Sequence, residues 1–271
     1  MMTHKPTRIQ QLLGRYYKWW YIIQFNIKSS GTGLSGHLFG QVSDVLQNIA
    51  IAYIWLINGS NKAVITYLIV GRIYKALSDT YFAYTLGPSI NTGKITNLLL
   101  VPQHFVKLNL AIDIGKRVVL NFGRAVGFLI PILVFKEYII FDTSVSNFII
   151  LLLFLPLSFL ISFMGEFLSG CSAFFAHDPR NWSGWTRAYE GIRTILVGAL
   201  IPLDKLPGFE FLRLLPTAWI IHHPMQIYLG KYNQLETFAV IFGGITWSVV
   251  LYLLGKIVFR LGLKRNEAVG L

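Results

Sequence analysis

Long apolar runs, rather than strict alternation, set the pattern of this chain. Residues 143–165 and 237–255 contain no Lys, Arg, Asp or Glu. A hydrocarbon core about 30 Å thick needs roughly 20 helical residues to cross it, so each run predicts a membrane-spanning helix. Residues 45–57 form a third run, extended upstream by 38–43 with Asp44 as the single charge between them. Three further stretches are weaker by hydropathy: 63–86 carries Arg72, Lys75 and Asp79, 118–135 is interrupted by Arg124, and the short 188–203 holds Glu190 and Arg193 near its start. Charged spans of this kind are shielded inside a bundle rather than turned to lipid. The expected fold is therefore all-α, a single polytopic membrane domain of six transmembrane helices over residues 1–271.

The segments between the runs are neither spans nor simple loops. Residues 1–36 hold Lys5, Arg8, Arg15, Lys18 and Lys28 without an acid, interleaved with Tyr16, Tyr17, Trp19, Trp20 and Tyr21. Lys18 breaks the apolar block that a secretory signal would need, and cations mixed with aromatics suit a helix lying at headgroup level. This predicts a cytoplasmic amphipathic helix ahead of the first span. Residues 87–117 form a long connection punctuated by Pro88, Gly93 and Pro102, with a short helix candidate at 95–101. Residues 202–232 carry Pro202, Pro207, Gly208, Pro216 and Pro224 around the apolar stretch 214–227. That stretch is too broken to span, which predicts a re-entrant or interfacial helical hairpin over 204–232.

Composition sharpens the class. Of the 271 residues 54% are apolar and 13% charged, half the charged fraction of an ordinary soluble domain, with a mean hydropathy of +0.55. A single Cys excludes an intrachain disulfide framework and a Cys-based zinc cluster. The net charge of +12 admits nucleic acid or membrane as partner, and its distribution decides for membrane. When loops are assigned alternately to the two sides, one side receives the cations of residues 1–36, then Lys94, Lys107, Lys116, Arg117, Arg124, Arg180, Arg187, Arg193, Lys256, Arg260, Lys264 and Arg265. The other receives only Lys62, Lys136, Lys205, Arg213 and Lys231. The positive-inside rule places both termini in the cytoplasm and makes 204–232 extracellular. No cationic patch remains to form a nucleic-acid face.

Sequence motifs exclude some chemistry. Each Gly-Lys pair, at Gly93, Gly115, Gly230 and Gly255, lacks the following Ser or Thr of a phosphate-binding loop, so the chain is not itself a P-loop ATPase, and no HExxH metal pair occurs. Gly170, Cys171, Ser172 and Ala173 resemble the nucleophile segment of rhomboid-type intramembrane serine proteases, with His177, His222 and His223 as possible bases. The predicted topology puts Ser172 at the cytoplasmic end and His222 and His223 outside, a bilayer apart, and adjacent histidines point to different helix faces. Ionisable groups inside spans are functional candidates by default: Arg72, Lys75, Asp79 and Glu166. Lys75 and Asp79 are spaced i, i+4, and a structural ion pair competes with a role in passage of a substrate.

Two blocks carry a family resemblance. The first is Leu215-Pro216-Thr217-Ala218, Pro224, Ile227-Tyr228-Leu229-Gly230, then Gly255, Arg260-Leu261-Gly262-Leu263-Lys264-Arg265 and Glu267-Ala268-Val269-Gly270. The second is Gly93 to Pro102, with Ile95, Leu98, Leu99 and Leu100 in the pattern of a Gly-x-Leu-x-x-x-Leu-Leu-x-Pro element and Val101 where Arg is expected. Together they resemble the six-span permeases of type 2 ATP-binding-cassette (ABC) exporters. The resemblance implies a separate ABC-type ATPase dimer that binds ATP and Mg, leaving this chain without a cofactor. It implies contact of that ATPase with Gly93, Ile95, Leu98, Leu99, Leu100 and Pro102, and pairing of two permease copies, as a homodimer or with a paralogue, in the lipid of the cell membrane. Arg72, Lys75, Asp79 and Glu166 become candidates for the translocation path, and Pro202, Asp204, Pro207 and Pro216 for an extracellular gate. An intramembrane enzyme using Ser172 and an ion-driven secondary transporter using Lys75, Asp79 and Glu166 are the alternatives, the latter without a visible inverted repeat.

Overall fold

The computed structural model describes residues 8–30, 34–100, 104–141, 144–176 and 178–268. Among these the fold is entirely helical: α1 (Arg8–Ser30), α2 (Leu34–Ile57), α3 (Lys62–Ser78), α4 (Ala83–Asn91), α5 (Ile95–Leu99), α6 (Phe105–Gly127), α7 (Leu129–Val134), α8 (Val145–Cys171), α9 (Pro179–Leu196), α10 (His222–Tyr228) and α11 (Gln234–Ala268). Three stretches are long and apolar enough to cross a membrane, Phe105–Val134, Val145–Phe175 and Gln234–Arg265, and Val42–Ile57 is a shorter apolar helix. Their outward faces carry apolar side chains that water would not tolerate as a continuous surface: Tyr53 and Ile54 on α2, Leu152 and Leu153 on α8, Phe238 and Phe242 on α11.

The two uncharged runs of the sequence become α8 and α11, which lie against each other. The start of α11 is fixed by a reciprocal cap: the Asn233 side chain accepts from Glu236 N–H (2.9 Å), and the Glu236 carboxylate accepts from Asn233 N–H (2.8 Å). Close approach depends on glycines. An added Cβ at Gly243 would stand 2.7 Å from the Trp219 ring, and one at Gly255 2.8 Å from the Phe167 ring. Trp219 in turn donates its indole N–H to the Val240 carbonyl (2.7 Å). Around these helices an aromatic core forms, with Phe82 against Phe163 at 4.9 Å and Phe105 against Phe259 at 4.7 Å between centroids.

Five expectations are corrected. The run 63–86 is not one helix: α3 stops at Ser78, Asp79 is extended (φ −80, ψ 146), and α4 begins at Ala83. Tertiary bonds hold the break open, since Asn121 donates to the Asp79 carbonyl (2.8 Å) that a continuing helix would have used. The connection 87–117 is shorter than expected, because α6 starts at Phe105. The polar residues that masked this helix are buried against other helices: Asp113 accepts from Thr80, and Gly115 lets α1 pack so closely that a Cβ there would be 2.6 Å from the Ile23 carbonyl oxygen. The expected span 118–135 is divided between α6 and α7. The segment 204–232 is not a helical hairpin; its proline-rich part folds as 3-10 turns at Leu203–Lys205, Glu210–Leu214 and Pro216–Trp219, and its α-helix is the short α10. The expected span 188–203 is shifted: its helix, α9, starts earlier, at Pro179, and closes at Leu196, with Gly198 (φ +81) two residues on supplying the left-handed turn.

Candidate functional site

The broken junction after α3 is the centre of a buried ionic network. Asp79 is a C-cap residue, freed from the helical hydrogen-bond pattern, and its carboxylate is 1% exposed. Arg193 reaches it from α9: Nη2 donates to Asp79 Oδ1 (2.8 Å) and to Ser162 Oγ (2.7 Å), while Nη1 donates to Glu166 Oε1 (3.1 Å) and to Glu190 Oε2 (3.0 Å). The other Asp79 oxygen accepts from Lys75 Nζ and from the Tyr81 hydroxyl (3.1 Å). Tyr81 accepts from Arg124 Nη1 (3.0 Å), and Arg124 Nη2 pairs with Asp44 (2.9 Å). The chain of contacts therefore ties α2, α3, α6, α8 and α9 together.

The formal charges cancel. Asp44, Asp79, Glu166 and Glu190 stand against Lys75, Arg124, Arg193 and the buried Arg72, which lies within the field of Asp44 and Asp79 and donates to Gln47 (3.4 Å). A buried charge is tolerable only when paired and hydrogen-bonded, and Arg193 uses both ends of its guanidinium fork for this purpose. The sequence singled out Arg72, Lys75, Asp79 and Glu166, and the structure brings them together. It adds Arg193, Glu190, Arg124, Asp44 and Tyr81. The signal for Arg193 and Glu190 was their i, i+3 spacing, which puts both on one face of α9.

Glu166 also reaches α4. Its Oε2 accepts from the N–H of Ala83, the first residue of α4 (3.3 Å). Helix α4 is wedged in place: a Cβ at Gly87 would be 2.0 Å from the Trp182 ring of α9, and one at Gly170 of α8 would be 2.9 Å from Leu86. Beyond α4, Gly93 turns with φ +71 into α5. Ile95 is buried, Leu99 is 40% exposed and Leu100 is 77% exposed. Leu98 is helical, and Pro102 lies outside the described residues. Beside the network, a cavity of about 660 Å³ opens between α8, α9 and α11, lined by Ser162, Tyr189, Arg193, Trp182, Trp185 and Leu251.

The proline-rich segment forms a separate cluster. Pro202 is buried, and Pro207 is exposed. Pro216 opens the third 3-10 turn. Asp204 accepts from Gln226 (3.3 Å) and Lys231 (3.1 Å), and Lys231 holds its carboxyl below the usual carboxylate range against the opposing effect of partial burial. His223 is bound at both nitrogens, to the Tyr232 hydroxyl (2.9 Å) and the Arg213 carbonyl (2.8 Å). His222 is buried, and burial brings its imidazole down to about 3, with His223 adding to the effect.

Among the described residues no hydrolase site is assembled. Ser172 donates to the Ser169 carbonyl (2.6 Å) and accepts from Trp182 (3.1 Å), so no described histidine bonds it. His177 lies outside the described residues. Among the described residues no group of His, Cys, Asp and Glu is arranged to hold a metal ion.

The profile of the family described as ABC-2 family transporter protein matches residues 46–270. The chain belongs to this ABC-2 transporter family. It is thus an ABC-2 type permease, a membrane protein whose match begins in α2 and takes in both the ionic network and the α4–α5 segment. No curated protein and no solved structure matches the chain.

Proposed function

We propose that this ABC-2 permease is the membrane subunit of an ABC exporter, with six membrane crossings, both termini in the cytoplasm and ATP hydrolysis on a separate ABC-type ATPase dimer. Two permease copies, identical or paralogous, enclose the path in the cell membrane. The cavity beside Arg193 lies on its wall, and the 204–232 segment closes it outside.

One observation carries this reading. The exposed Leu99 and Leu100 on the α5 side are joined, through the wedged helix α4, to a hydrogen bond on Glu166 in the buried network. A push on α5 is therefore delivered to ion pairs on α8 and α9 without passing through a flexible loop. ATP binding favours one arrangement of the permease pair only if the ATPase contacts α5 differently in the two arrangements, and an apolar knob on a stiff arm supplies such a contact. The pairing of Lys75 with Asp79, and of Asp79 and Glu166 with Arg193, supports a scaffold and transmission role for them rather than an ion pathway.

The test is cargo-stimulated ATP hydrolysis by the co-purified ATPase. Leu99→Asp together with Leu100→Asp should remove the stimulation while basal hydrolysis and the permease's thermal unfolding midpoint stay in place. Unchanged stimulation would overturn the assignment of α5.

A further inference from the structure

The cavity of about 660 Å³ beside Arg193 is a groove with two definable ends. At one end the Trp182 indole donates to Ser172 Oγ (3.1 Å). At the other, Ser158 Oγ donates to the Trp219 carbonyl (3.0 Å) and sets the Pro216–Trp219 turn against α8. From Ser158 to Ser172 the helical rise is about 21 Å at 1.5 Å per residue. The α9 wall, formed by Trp182, Trp185, Tyr189, Arg193 and Leu196, repeats every three or four residues and so makes a single face along this length. The volume falls in the range of about 300–1,000 Å³ found for small-molecule sites.

Charge and hydrogen bonding select the occupant. Among the described residues of the wall Arg193 alone is charged, and its guanidinium is filled by Asp79, Ser162, Glu166 and Glu190. A charged group in the groove would lose its hydration and find no counter-charge. Of the wall hydroxyls, Ser162 accepts from Arg193, Ser172 donates to the Ser169 carbonyl and Thr186 donates to the Trp182 carbonyl. The buried Oγ1 of Thr217, in the turn at the Ser158 end, has no partner among the described residues. The Ser172 end coincides with the close of the apolar stretch Val145–Phe175, whereas Ile161, on the wall towards Thr217, is near the middle of that stretch. Thr217 is therefore a polar station deep in the membrane. A phospholipid, whose polar end stays at the boundary, would offer it only hydrocarbon.

We propose that this groove takes an uncharged, elongated apolar molecule that carries a neutral oxygen at its leading end. The leading oxygen pairs with Thr217, and the hydrocarbon body lies along Trp182, Trp185 and Tyr189. This cargo class rests on the exporter function proposed for the permease, with the cavity on the wall of its path.

Photolabelling of the full chain in phosphatidylcholine vesicles tests the site. The probe is hexadecanediol with a hydroxyl at each end and a diazirine at mid-chain, so that one hydroxyl can stay at the boundary while the other reaches Thr217. Its comparisons are the matched hexadecanol and the matched chain with trimethylammonium at both ends. Peptides of α8 and α9 should take up the diol about 5-fold more than the alcohol, the worth of one neutral hydrogen bond, and the dication about 10-fold less than the diol. Excess diol without the diazirine should displace the label. Thr217→Val should make diol and alcohol equal. Gly165→Leu, aimed at the Tyr189 hydroxyl that a Cβ at position 165 already meets at 3.3 Å, should fill the groove and weaken both probes, and it serves if Thr217→Val does not fold. Equal labelling by diol and alcohol in the native chain, label that excess diol does not displace, or a dication that labels as well as the diol would each overturn the proposal. So would a diol preference that neither variant alters. None of these measurements uses the ATPase. Thr217-dependent diol labelling in a permease that fails the coupling test would reject the exporter reading alone, and intact coupling without diol labelling would reject this cargo alone.

Discussion

Arg193 carries more of the buried charge than any other described side chain, since Asp79, Glu166 and Glu190 all bond to its guanidinium. Taking it away leaves two carboxylates, each 1% exposed, without their common partner. Breaking one side of such a buried arrangement costs about 3–5 kcal/mol, so Arg193→Met should lower stability by that order, read as a lower denaturation midpoint in detergent. Arg124→Met should cost less, because Arg124 holds a single carboxylate, Asp44, which is 34% exposed, where Arg193 holds three. Equal losses for the two variants would show that the network does not centre on Arg193. His222 gives a prediction of a different kind. Its folded-state value of about 3 lies below the 6.5 of an unperturbed histidine, so between these values the unfolded chain binds the proton that the folded chain refuses. Stability is therefore full above about pH 6.5 and declines as the pH falls towards 3. Asp204, itself depressed by Lys231, loses its contribution in the same direction below the carboxylate range. Thermal unfolding between pH 7 and 5 should show a fall that His222→Asn flattens, and an unchanged slope in that variant would sink the assignment.

At the scale of elements, stiffness follows from glycine contacts more than from helix length. Helix α4 has nine residues, too few to persist alone in water, yet it is fixed because Gly87 admits the Trp182 ring and Gly170 admits Leu86. A methyl group at position 87 would overlap the indole, so α4 or α9 must move. Gly87→Ala should cost about 1–3 kcal/mol, the usual range for overpacking, and should weaken cargo-stimulated hydrolysis although it touches neither α5 nor the network. Preserved stimulation with a lowered midpoint would show that α4 is only a spacer. The same elements show what could be read in advance. Helices α8 and α11 were legible because an uncharged run of their length has no other stable use. The break at Asp79 was not, since hydropathy continues through it and the partners that hold it, Asn121 and Arg193, are remote in sequence. The early start of α6 was hidden for a related reason: Asn109 and Asp113 look like loop residues, yet both are buried in the fold, Asp113 accepting from Thr80. Hydropathy reports burial in lipid and does not report burial in a paired polar interior.

For the whole molecule the decisive asymmetry is that of charge, and it makes a prediction about orientation. The net +12 is no uniform field, because the cations concentrate in α1, the α5–α6 region, the first half of α9 and the end of α11, while the other set of connections carries only Lys62, Lys136, Lys205, Arg213 and Lys231. Cations near helix ends stay on the cytoplasmic side during insertion, so Lys94 and Lys264 should face the cytoplasm and Lys136 and Lys205 the exterior. The chain suits a direct check, since its single native thiol, Cys171, is fully buried and contributes little labelling of its own, while these lysines are exposed. Lys136→Cys and Lys205→Cys should react with a membrane-impermeant maleimide on intact cells, and Lys94→Cys and Lys264→Cys only after permeabilisation. Labelling of position 94 from outside would invert the molecule. The α5 side would then face away from any cytoplasmic ATPase, and the exporter reading would fall with the topology. The opposite pattern would leave Leu99 and Leu100 on the one side of the membrane where a nucleotide-driven partner can press on them.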